Sequence, residues 1–181
     1  MFARTERLTL RPAWPEDAPA LAAAIGDERV VRMLARVPYP YTTQDADFWV
    51  AQPRGAHEPR FVIEAHDRGL PALIGGIGIS EYEGRPNLGY WLTPDAWGRG
   101  YATEAGRVVI EMARHALPLD RLDAWHFADN PASGRVLRKL GFRPTGTTIV
   151  RQSAGRREQA ACVEYTLDLA EDDRVPMPIA A

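Results

Sequence analysis

Residues 90–105 read YWLTPDAWGRGYATEA, and in them an apolar strand-like run gives way to a glycine loop and then to a helix. Gly98 and Gly100 let successive backbone N–H groups turn toward one point, because no Cβ stands in the way. The start of the helix adds unpaired N–H donors and the positive end of its dipole. The stretch therefore predicts a site for a phosphate or a pyrophosphate between Trp97 and Thr103.

Several other phosphate-binding or structural loops share parts of this pattern. A Walker loop ends in Gly-Lys-Ser/Thr, but Tyr101, Ala102 and Thr103 follow Gly100, so the lysine is missing. The dinucleotide fingerprint G-x-G-x-x-G would need a third glycine at Thr103, and it belongs to a first strand–helix turn rather than to the middle of a chain. An ordinary glycine-containing turn explains a bare G-x-G but not the whole string.

The residues after the loop form the clearest helical pattern in the chain. They place apolar side chains on one face, as in an amphipathic helix. The apolar positions are 101, 105, 108, 109, 112, 113 and 116. A strand at 119–127 follows, and a second helix then begins behind Asn130 and Pro131 and ends at Leu140, before Gly141.

The rest of the chain supplies further strands and short helices. Strand patterns lie at 5–11, 60–65, 72–80, 87–93, 119–127, 147–151 and 160–167. Helical patterns at 15–25, 27–34 and 43–51 lie between the first two of these strands. This order predicts an α/β fold with a mixed sheet of about seven strands and helices on both faces. We expect one domain at 1–169 and a flexible tail at 170–181.

The composition excludes several classes of protein. The 181 residues carry a net charge of −2, which argues against a nucleic-acid partner. Cys162 is the only cysteine and the four histidines lack metal-ligand spacing, so we expect no disulfide within the chain and no metal site. The first residues lack the apolar core of a signal peptide, and no run approaches the roughly 20 apolar residues of a membrane span. We expect a cytoplasmic protein with no membrane partner.

Two motifs resemble those of the GNAT superfamily of N-acetyltransferases. The acyl-CoA loop of that superfamily has the general pattern Q/R-x-x-G-x-G/A, and the loop here matches its last three positions, while Trp97 replaces Gln or Arg. The string GYWL…WGRGYATEA looks like the ribosomal-protein (RimJ/RimL-type) branch. Residues 130–142, NPASGRVLRKLGF, are similar to the next motif, N-x-x-S/A-x-x-V/L-x-x-K-x-G-F. The resemblance covers residues 5–169.

This resemblance implies a fold, a cofactor and a set of binding residues. The fold is the GNAT fold, in which a mostly antiparallel sheet splays into a V that holds acyl-CoA. Asn130 is then expected to bond the pantetheine arm, Ser133 to lie near the sulfur, and Arg138 to approach the 3′-phosphate. Asn130 is also a good N-cap, and a first-turn serine is common in helices. The residues expected to bind acetyl-CoA are Trp91, Leu92, Thr93, Trp97, Gly98, Arg99, Gly100, Tyr101, Ala102, Thr103, Asn130, Ser133 and Arg138.

The resemblance also implies direct attack of a primary amine on the thioester. A strand N–H near Trp91 or Leu92 is expected to donate to the carbonyl oxygen. Ser133 is the candidate general acid, because the position at which many relatives carry a tyrosine is Leu137. Two positions at which relatives carry a glutamate are Asn87 and Gln152, whose amides do not accept a proton at neutral pH.

The general base is therefore open. The candidates are Glu81, Glu83, Glu104 and His126, or a chain of water molecules. We name Glu104 as the candidate catalytic carboxylate, although a carboxylate in a first helical turn also suits the helix dipole.

The missing carboxylates favour an acceptor whose amine is partly neutral already, such as an α-amine with a pKa of roughly 8 rather than a lysine near 10.4. The acceptor is then a protein N-terminus or a small molecule. The alternative function is a catalytically weak acyl-CoA-binding sensor or scaffold, and a homodimer is possible.

Overall fold

The computed structural model describes residues 2–53, 55, 58–67 and 69–170, and it contains eight strands and five α-helices. The strands are β1 (Ala3–Arg4), β2 (Leu8–Arg11), β3 (Arg60–Ala65), β4 (Ala72–Tyr82), β5 (Arg85–Leu92), β6 (Arg121–Phe127), β7 (Arg143–Arg151) and β8 (Ala160–Asp168). The helices are α1 (Ala18–Ile25), α2 (Glu28–Val31), α3 (Thr43–Ala51), α4 (Tyr101–Ala116) and α5 (Pro131–Lys139).

All eight strands belong to one sheet in the order β1-β2-β3-β4-β5-β6-β8-β7. Neighbouring strands run antiparallel except β5 and β6, which run parallel. Their pairing consists of Asn87 with Asp123, although every residue of both strands is described. Beyond that pair the strands diverge, and we call the gap the strand opening. The predicted α/β fold with a splayed, mostly antiparallel sheet is confirmed.

The predicted first strand, 5–11, is wrong at its start, because β2 begins only at Leu8 and a turn separates it from the additional strand β1. The Thr5 hydroxyl accepts a hydrogen bond from the N–H of Leu8 at 2.9 Å, and the Thr5 N–H donates to the Leu8 carbonyl, also at 2.9 Å. These bonds close a turn that a hydroxyl side chain stabilises locally. The sheet therefore has eight strands rather than about seven.

Helix boundaries follow the local signals closely where caps are strong. The α3 helix spans the predicted range, and Thr42 and Asp45 form its capping box. The predicted helix at 27–34 is shorter, because α2 begins behind an Asp27 cap and ends at Val31. Glycine also lets the backbone approach closely within β4, where a Cβ on Gly78 would lie 2.6 Å from the Pro59 carbonyl oxygen.

The helices cover the two faces of the sheet unequally. Leu88 and Leu92 of β5 share a buried cluster with Val109 of α4 and Leu137 of α5. Trp91, on the opposite face of β5, packs against a second cluster that includes residues of α1 and α3. We call these the α4 face and the far face. Residues on β6 alternate in the same way, so Leu122 and Ala124 lie on the α4 face and Trp125 on the far face.

Within the described ranges, no helix has the length and apolar character needed to cross a bilayer. The same residues contain no cluster of three or more His, Cys, Asp or Glu side chains suited to a metal ion. Residues 171–181 of the predicted tail lie outside the described residues. The cytoplasmic location, the lack of a metal and the domain boundary stay predictions.

Candidate active site

Residues 97–103, which we call the anion loop, connect β5 to α4 on the α4 face. Gly98 and Gly100 adopt the left-handed conformation, with φ of 73° and 84°. A Cβ on Gly98 would lie more than 4 Å from the described residues other than its neighbours, so backbone conformation rather than space requires glycine there. Helix α4 begins immediately afterwards, so the N–H groups of Ala102 and Thr103 have no carbonyl partner within the helix. Alternating left-handed glycines before a helix start form a concave surface for an anion.

Side chains from the anion loop fold back on the chain and fix its shape. The Trp97 indole N–H donates to the carbonyl of Leu92, the last residue of β5, at 2.8 Å. The Arg99 Nε donates to the Asp95 carbonyl at 3.0 Å. The Trp97 backbone N–H bonds the Pro94 carbonyl at 3.1 Å, so it is already used in the turn. Trp97 therefore holds the loop against the end of β5, and the Arg99 side chain is held by the nearby Asp95 carbonyl.

An ion pair supports the anion loop from the turn between β1 and β2. Arg7 donates to the Arg99 carbonyl at 3.1 Å through one guanidinium nitrogen and to Glu104 at 2.8 Å through Nε. The Thr5 hydroxyl donates to the other Glu104 oxygen at 2.6 Å. Burial alone would raise the pKa of Glu104, but the hydrogen bonds from Thr5 and Arg7 outweigh it and hold this pKa below its ordinary value.

Glu104 is thus a poor proton acceptor, since both of its oxygens are engaged and its charged form is favoured. The geometry supports the structural role that the first helical turn suggested rather than the catalytic role. We do not carry Glu104 forward as a general base.

The other loop residues also divide between backbone and side-chain roles. Tyr101 is buried, its hydroxyl donates to both Asp67 oxygens at 2.9 and 3.0 Å, and the Arg7 guanidinium lies 4.7 Å from its ring centre. The side chain of Tyr101 therefore belongs to the core, and only its backbone borders the loop. Ala102 is likewise buried, while Thr103 is half-buried.

The direction of the backbone N–H groups on β5 follows from its pairing with β4. The Thr93 N–H donates to the Ile74 carbonyl of β4 at 2.8 Å, and the register between the two strands is uninterrupted. Because directions alternate along a strand, the N–H of Trp91 also faces β4. The N–H groups of Leu92 and Tyr90 face the strand opening. Two N–H groups were predicted to donate to the carbonyl oxygen of the thioester. That of Leu92 faces the strand opening, and that of Trp91 does not.

The first turn of α5 borders the strand opening from the other side. The Asn130 side chain caps the helix by accepting from the Ser133 N–H at 3.3 Å. The Ser133 hydroxyl lies 2.7 Å from the hydroxyl of Tyr90, in a contact in which either group can donate, and the Ser133 carbonyl lies 3.1 Å from the Tyr90 hydroxyl as a second acceptor for its proton. Burial raises the pKa of Tyr90 to about 12. The sequence analysis missed Tyr90, whose only signal was its place in the GY pair on β5.

A pocket of about 260 Å³ lies on the far face, across the strands that flank the opening. We call it the far-face pocket. Its lining includes Tyr82, Glu83, Asn87, Trp125, Arg151 and Glu164. Arg151 is only 7% exposed, and it donates to Glu83 at 2.6 Å and to Glu164 at 2.9 Å. Its guanidinium lies 4.6 Å from the Tyr82 ring centre and 5.0 Å from that of Trp125.

The charges that line the far-face pocket balance. Its carboxylates are Glu83, Asp123 and Glu164, and its guanidinium groups are Arg85, Arg121 and Arg151. Each carboxylate contacts a guanidinium within 3.4 Å. The pocket therefore has no excess of negative charge with which to attract a polycation.

Residues 7–143 match the family model described as the acetyltransferase (GNAT) domain. The chain belongs to the GNAT acetyltransferase family. It is 32% identical over 154 residues to the uncharacterized N-acetyltransferase YoaA of Bacillus subtilis (strain 168), covering 82% of this chain and 85% of that relative. It is 26% identical over 137 residues to the spermidine N(1)-acetyltransferase of Escherichia coli (strain K12), covering 76% and 73%.

Solved structures share this GNAT fold. A GNAT-family acetyltransferase from Bacillus anthracis superposes with a TM-score of 0.78 at 25% identity, covering 94% of this chain and all of that one (100%). The ribosomal-protein-S5-alanine acetyltransferase of Vibrio fischeri gives 0.76 at 19%, covering 94% and 98%. The microcin C7 self-immunity acetyltransferase MccE, in complex with acetyl-CoA and AMP, gives 0.74 at 16%, covering 91% and 93%. At these last two identities the likeness shows the fold alone.

As a GNAT acetyltransferase, the chain needs a proton acceptor for the amine, and the structure sorts the candidates by face. Glu83 lines the far-face pocket, whereas Glu81 is exposed outside its lining. His126 is buried on the α4 face, its Nδ1 2.8 Å from the Phe127 carbonyl, and a Cβ on Gly134 would lie 2.6 Å from its Nε2. Glu164, in register with Trp125 of β6, is a pocket carboxylate that the sequence analysis missed.

The remaining positions of interest carry side chains that do not titrate. Leu137, where many GNAT relatives carry a tyrosine, is 1% exposed and packs in the core. Asn87 lines the far-face pocket and Gln152 is exposed. Arg138 is exposed, with its guanidinium 5.9 Å from the Tyr165 ring centre. The binding roles predicted for Arg138 and Asn130 stay predictions.

Proposed function

We propose that this GNAT acetyltransferase uses acetyl-CoA and moves its acetyl group directly onto a primary amine. The observation that carries the proposal is the anion loop, in which left-handed Gly98 and Gly100 precede the start of α4 beside two diverging strands. This geometry fits a diphosphate, because backbone N–H groups and the helix dipole converge there. Acetyl-CoA supplies the activated acetyl thioester when bound.

Different residues are proposed to bind different parts of acetyl-CoA. The N–H groups of the anion loop suit the diphosphate, and Asn130 at the start of α5 suits the pantetheine arm. The Leu92 N–H, which faces the strand opening, suits the carbonyl oxygen of the acetyl group, where negative charge builds during attack. Ser133 borders the same opening and suits the sulfur. The exposed Arg138 remains the proposed contact of the 3′-phosphate.

The acceptor amine is proposed to enter through the far-face pocket. An α-amine, with a pKa of roughly 8, is partly neutral near pH 7, whereas a lysine amine near 10.4 is not. Asn87 stands where a carboxylate would help with deprotonation, and the pocket charges balance. These features favour the α-amine of a protein N-terminus, as in the RimJ/RimL-type branch, or of a small molecule. They disfavour a polyamine such as spermidine, despite the relative that acts on it.

Glu164 is our proposed proton acceptor, reached by the amine through a water molecule. Its side chain is 28% exposed within the pocket, and Arg151 holds it at 2.9 Å. Glu83 is more exposed, at 65%, and lies in the β4–β5 turn, where its φ of 52° is unusual for a residue other than glycine.

The function can be tested by following free thiol after mixing the protein with acetyl-CoA and a panel of amines. The panel contains a peptide with a free alanine N-terminus, the same peptide with its N-terminus blocked and one lysine, and spermidine. We expect the free N-terminus to have a kcat/KM about tenfold or more above the other two, in line with its larger neutral fraction. A clear preference for spermidine would overturn the assignment of the acceptor but not that of the cofactor.

A second candidate is a CoA-binding sensor or scaffold with weak catalysis. The observation that favours it is the buried Leu137, which, together with Asn87 and Gln152, leaves family positions without a titrating group. Calorimetry separates the two candidates: binding of acetyl-CoA with no thiol release on any amine supports the sensor. A homodimer and a cytoplasmic location remain part of the proposal, and size-exclusion chromatography with light scattering tests the former.

A further inference from the structure

Tyr90 and Ser133 come from opposite sides of the strand opening and meet through their hydroxyl groups. Tyr90 projects from β5, and Ser133 projects from the first turn of α5, which follows β6 in the chain. Their oxygen atoms are 2.7 Å apart, the usual distance for a hydrogen bond between two hydroxyls. The contact therefore links β5 to α5 in the region where the pairing of β5 with β6 has ended.

We infer that Tyr90 is a positioning residue for acetyl transfer, whose hydroxyl holds the Ser133 hydroxyl so that the serine proton points at the thioester sulfur. The inference rests on the proposed function, because it requires acetyl-CoA in the strand opening. Tyr90 would act only through its hydrogen bond to Ser133, whose proposed role it supports.

The proton count of the pair supports this arrangement. Each hydroxyl carries one proton and accepts through its lone pairs. The one phenol proton of Tyr90 has two acceptors on Ser133, the carbonyl oxygen at 3.1 Å and Oγ at 2.7 Å. When it goes to the nearer atom, Oγ, the serine proton remains available to another acceptor. A serine hydroxyl on its own rotates freely, so the bond from Tyr90 narrows the directions in which its proton can point.

Tyr90 is suited to donate a hydrogen bond without itself losing its proton. Burial raises its pKa to about 12, so it stays protonated across the pH range in which a thiol with a pKa of roughly 8.5 ionises. Transfer forms the amide bond at the amine and breaks the carbon–sulfur bond, leaving the electron pair on sulfur. The proton lost by the amine balances the one taken up by the thiolate, so neither Tyr90 nor Ser133 changes its net proton count.

The position of Tyr90 also compensates for a residue that α5 lacks. Leu137, one turn beyond Ser133, is 1% exposed and carries no hydroxyl. Tyr90 brings a phenol to the same helix from β5 instead. Its hydroxyl contacts Ser133, so it acts through one defined neighbour.

The test compares the affinities of CoA and of desulfo-CoA, which lacks the sulfur, by calorimetry at pH 7 and pH 9.5. In the wild type, the affinity ratio of CoA to desulfo-CoA should rise about five- to tenfold between these pH values, because a hydrogen bond to the charged thiolate is stronger than one to the thiol. In Tyr90→Phe and Ser133→Ala this rise should be largely lost, while the affinity for desulfo-CoA stays within twofold of wild type. Tyr39→Phe, which removes a phenol hydroxyl at a half-exposed site, is the matched control and should keep the rise.

Each alternative result decides against the inference in a distinct way. An unchanged ratio in Tyr90→Phe, or a wild-type ratio that does not rise with pH, overturns it. If Tyr90→Phe binds CoA and desulfo-CoA equally more weakly than wild type does, the role of Tyr90 is purely structural, and the inference is overturned. If wild type binds neither ligand, the proposed cofactor itself is wrong.

Kinetics provide an independent check. Tyr90→Phe should lower kcat about tenfold with little change in the KM of the acceptor, and the double variant with Ser133→Ala should be no slower than the slower single variant, because residues that act as a unit are not additive. A double variant whose loss equals the product of the two single losses contradicts the coupling. Thermal unfolding of each variant establishes that the fold is retained.

Discussion

The anion loop and the far-face pocket lie on opposite faces of the same sheet and are built in different ways. The loop consists of seven consecutive residues whose backbone does the proposed binding, so its geometry depends on glycine conformation and on the start of α4. The pocket consists of side chains from several strands and the β4–β5 turn, held together around Arg151. The sheet therefore separates a site made of consecutive backbone groups from a site made of side chains that are distant in sequence. Changes in one should therefore leave the other largely intact.

The largest expected effect comes from the glycines of the anion loop. The double variant Gly98→Ala/Gly100→Ala places side chains at two left-handed positions, each costing about 1–2 kcal/mol. If the loop relaxes away from its binding shape, the affinity for CoA should fall about 100-fold or more. Calorimetry with CoA measures the loss.

Gly84→Ala is the matched control for this prediction, because Gly84 also has a positive φ, 75°, but lies in the β4–β5 turn. It should lower the melting temperature without weakening the binding of CoA. A double loop variant that binds CoA as tightly as Gly84→Ala does would break the assignment of the loop.

The next effect concerns the far-face pocket. Glu164→Gln keeps a partner for Arg151 but cannot take up a proton, so kcat/KM should fall about 100-fold or more, within the usual range for a lost general base. The affinity for CoA should not change. Glu81→Gln, an exposed carboxylate outside the pocket lining, should behave as wild type. Equal activity of Glu164→Gln and wild type between pH 6 and 9 would rule out the role of Glu164.

A smaller effect separates the two roles of Asn130. Asn130→Ala removes the N-cap of α5, which costs about 1 kcal/mol, whereas Asn130→Ser keeps a capping side chain at little cost. If the amide also contacts pantetheine, both variants should bind CoA about fivefold more weakly. Thermal unfolding and calorimetry on the same samples give the two quantities. Wild-type affinity in Asn130→Ser would leave the cap as the only role.

The smallest expected effect is on stability, at the Arg7–Glu104 ion pair. Because the pKa of Glu104 is lower in the folded protein than in the unfolded chain, the pair stabilises the fold above the unfolded pKa of roughly 4.3. That stabilisation disappears as the pH falls through the folded-state pKa. Glu104→Gln should therefore lose about 0.5–1 kcal/mol at pH 7, less in high salt, and match wild type near pH 2.

Glu111→Gln on the same helix is the control for Glu104, since its carboxylate is 55% exposed and pairs within α4. It should change the melting temperature by less than Glu104→Gln does. A deficit of Glu104→Gln that persists at low pH would show that the ion pair is not its cause.

The parts of the fold that were predicted correctly depend on local signals. The periodic apolar face of α4, the capping box of α3 and the Asn130 cap of α5 are each contained in a few consecutive residues. The same holds for the anion loop, whose glycines and helix start are adjacent in the chain. Long-range contacts are not visible in such signals: Glu104 was named as a catalytic candidate from its place in the first turn of α4, but Arg7, 97 residues away, engages its carboxylate.

The sequence by itself determined the α/β order of elements, the anion loop and the family resemblance, because backbone conformation and helix capping are properties of neighbouring residues. The tertiary structure alone decided that Tyr90 meets Ser133 across 43 residues, and that Arg151 joins Glu83 across 68 residues and Glu164 across 13. It also decided which N–H groups of β5 face the strand opening, since that direction follows from the pairing with β4. The physical reason is that strand register and the face of each side chain are fixed only when distant segments pair and pack.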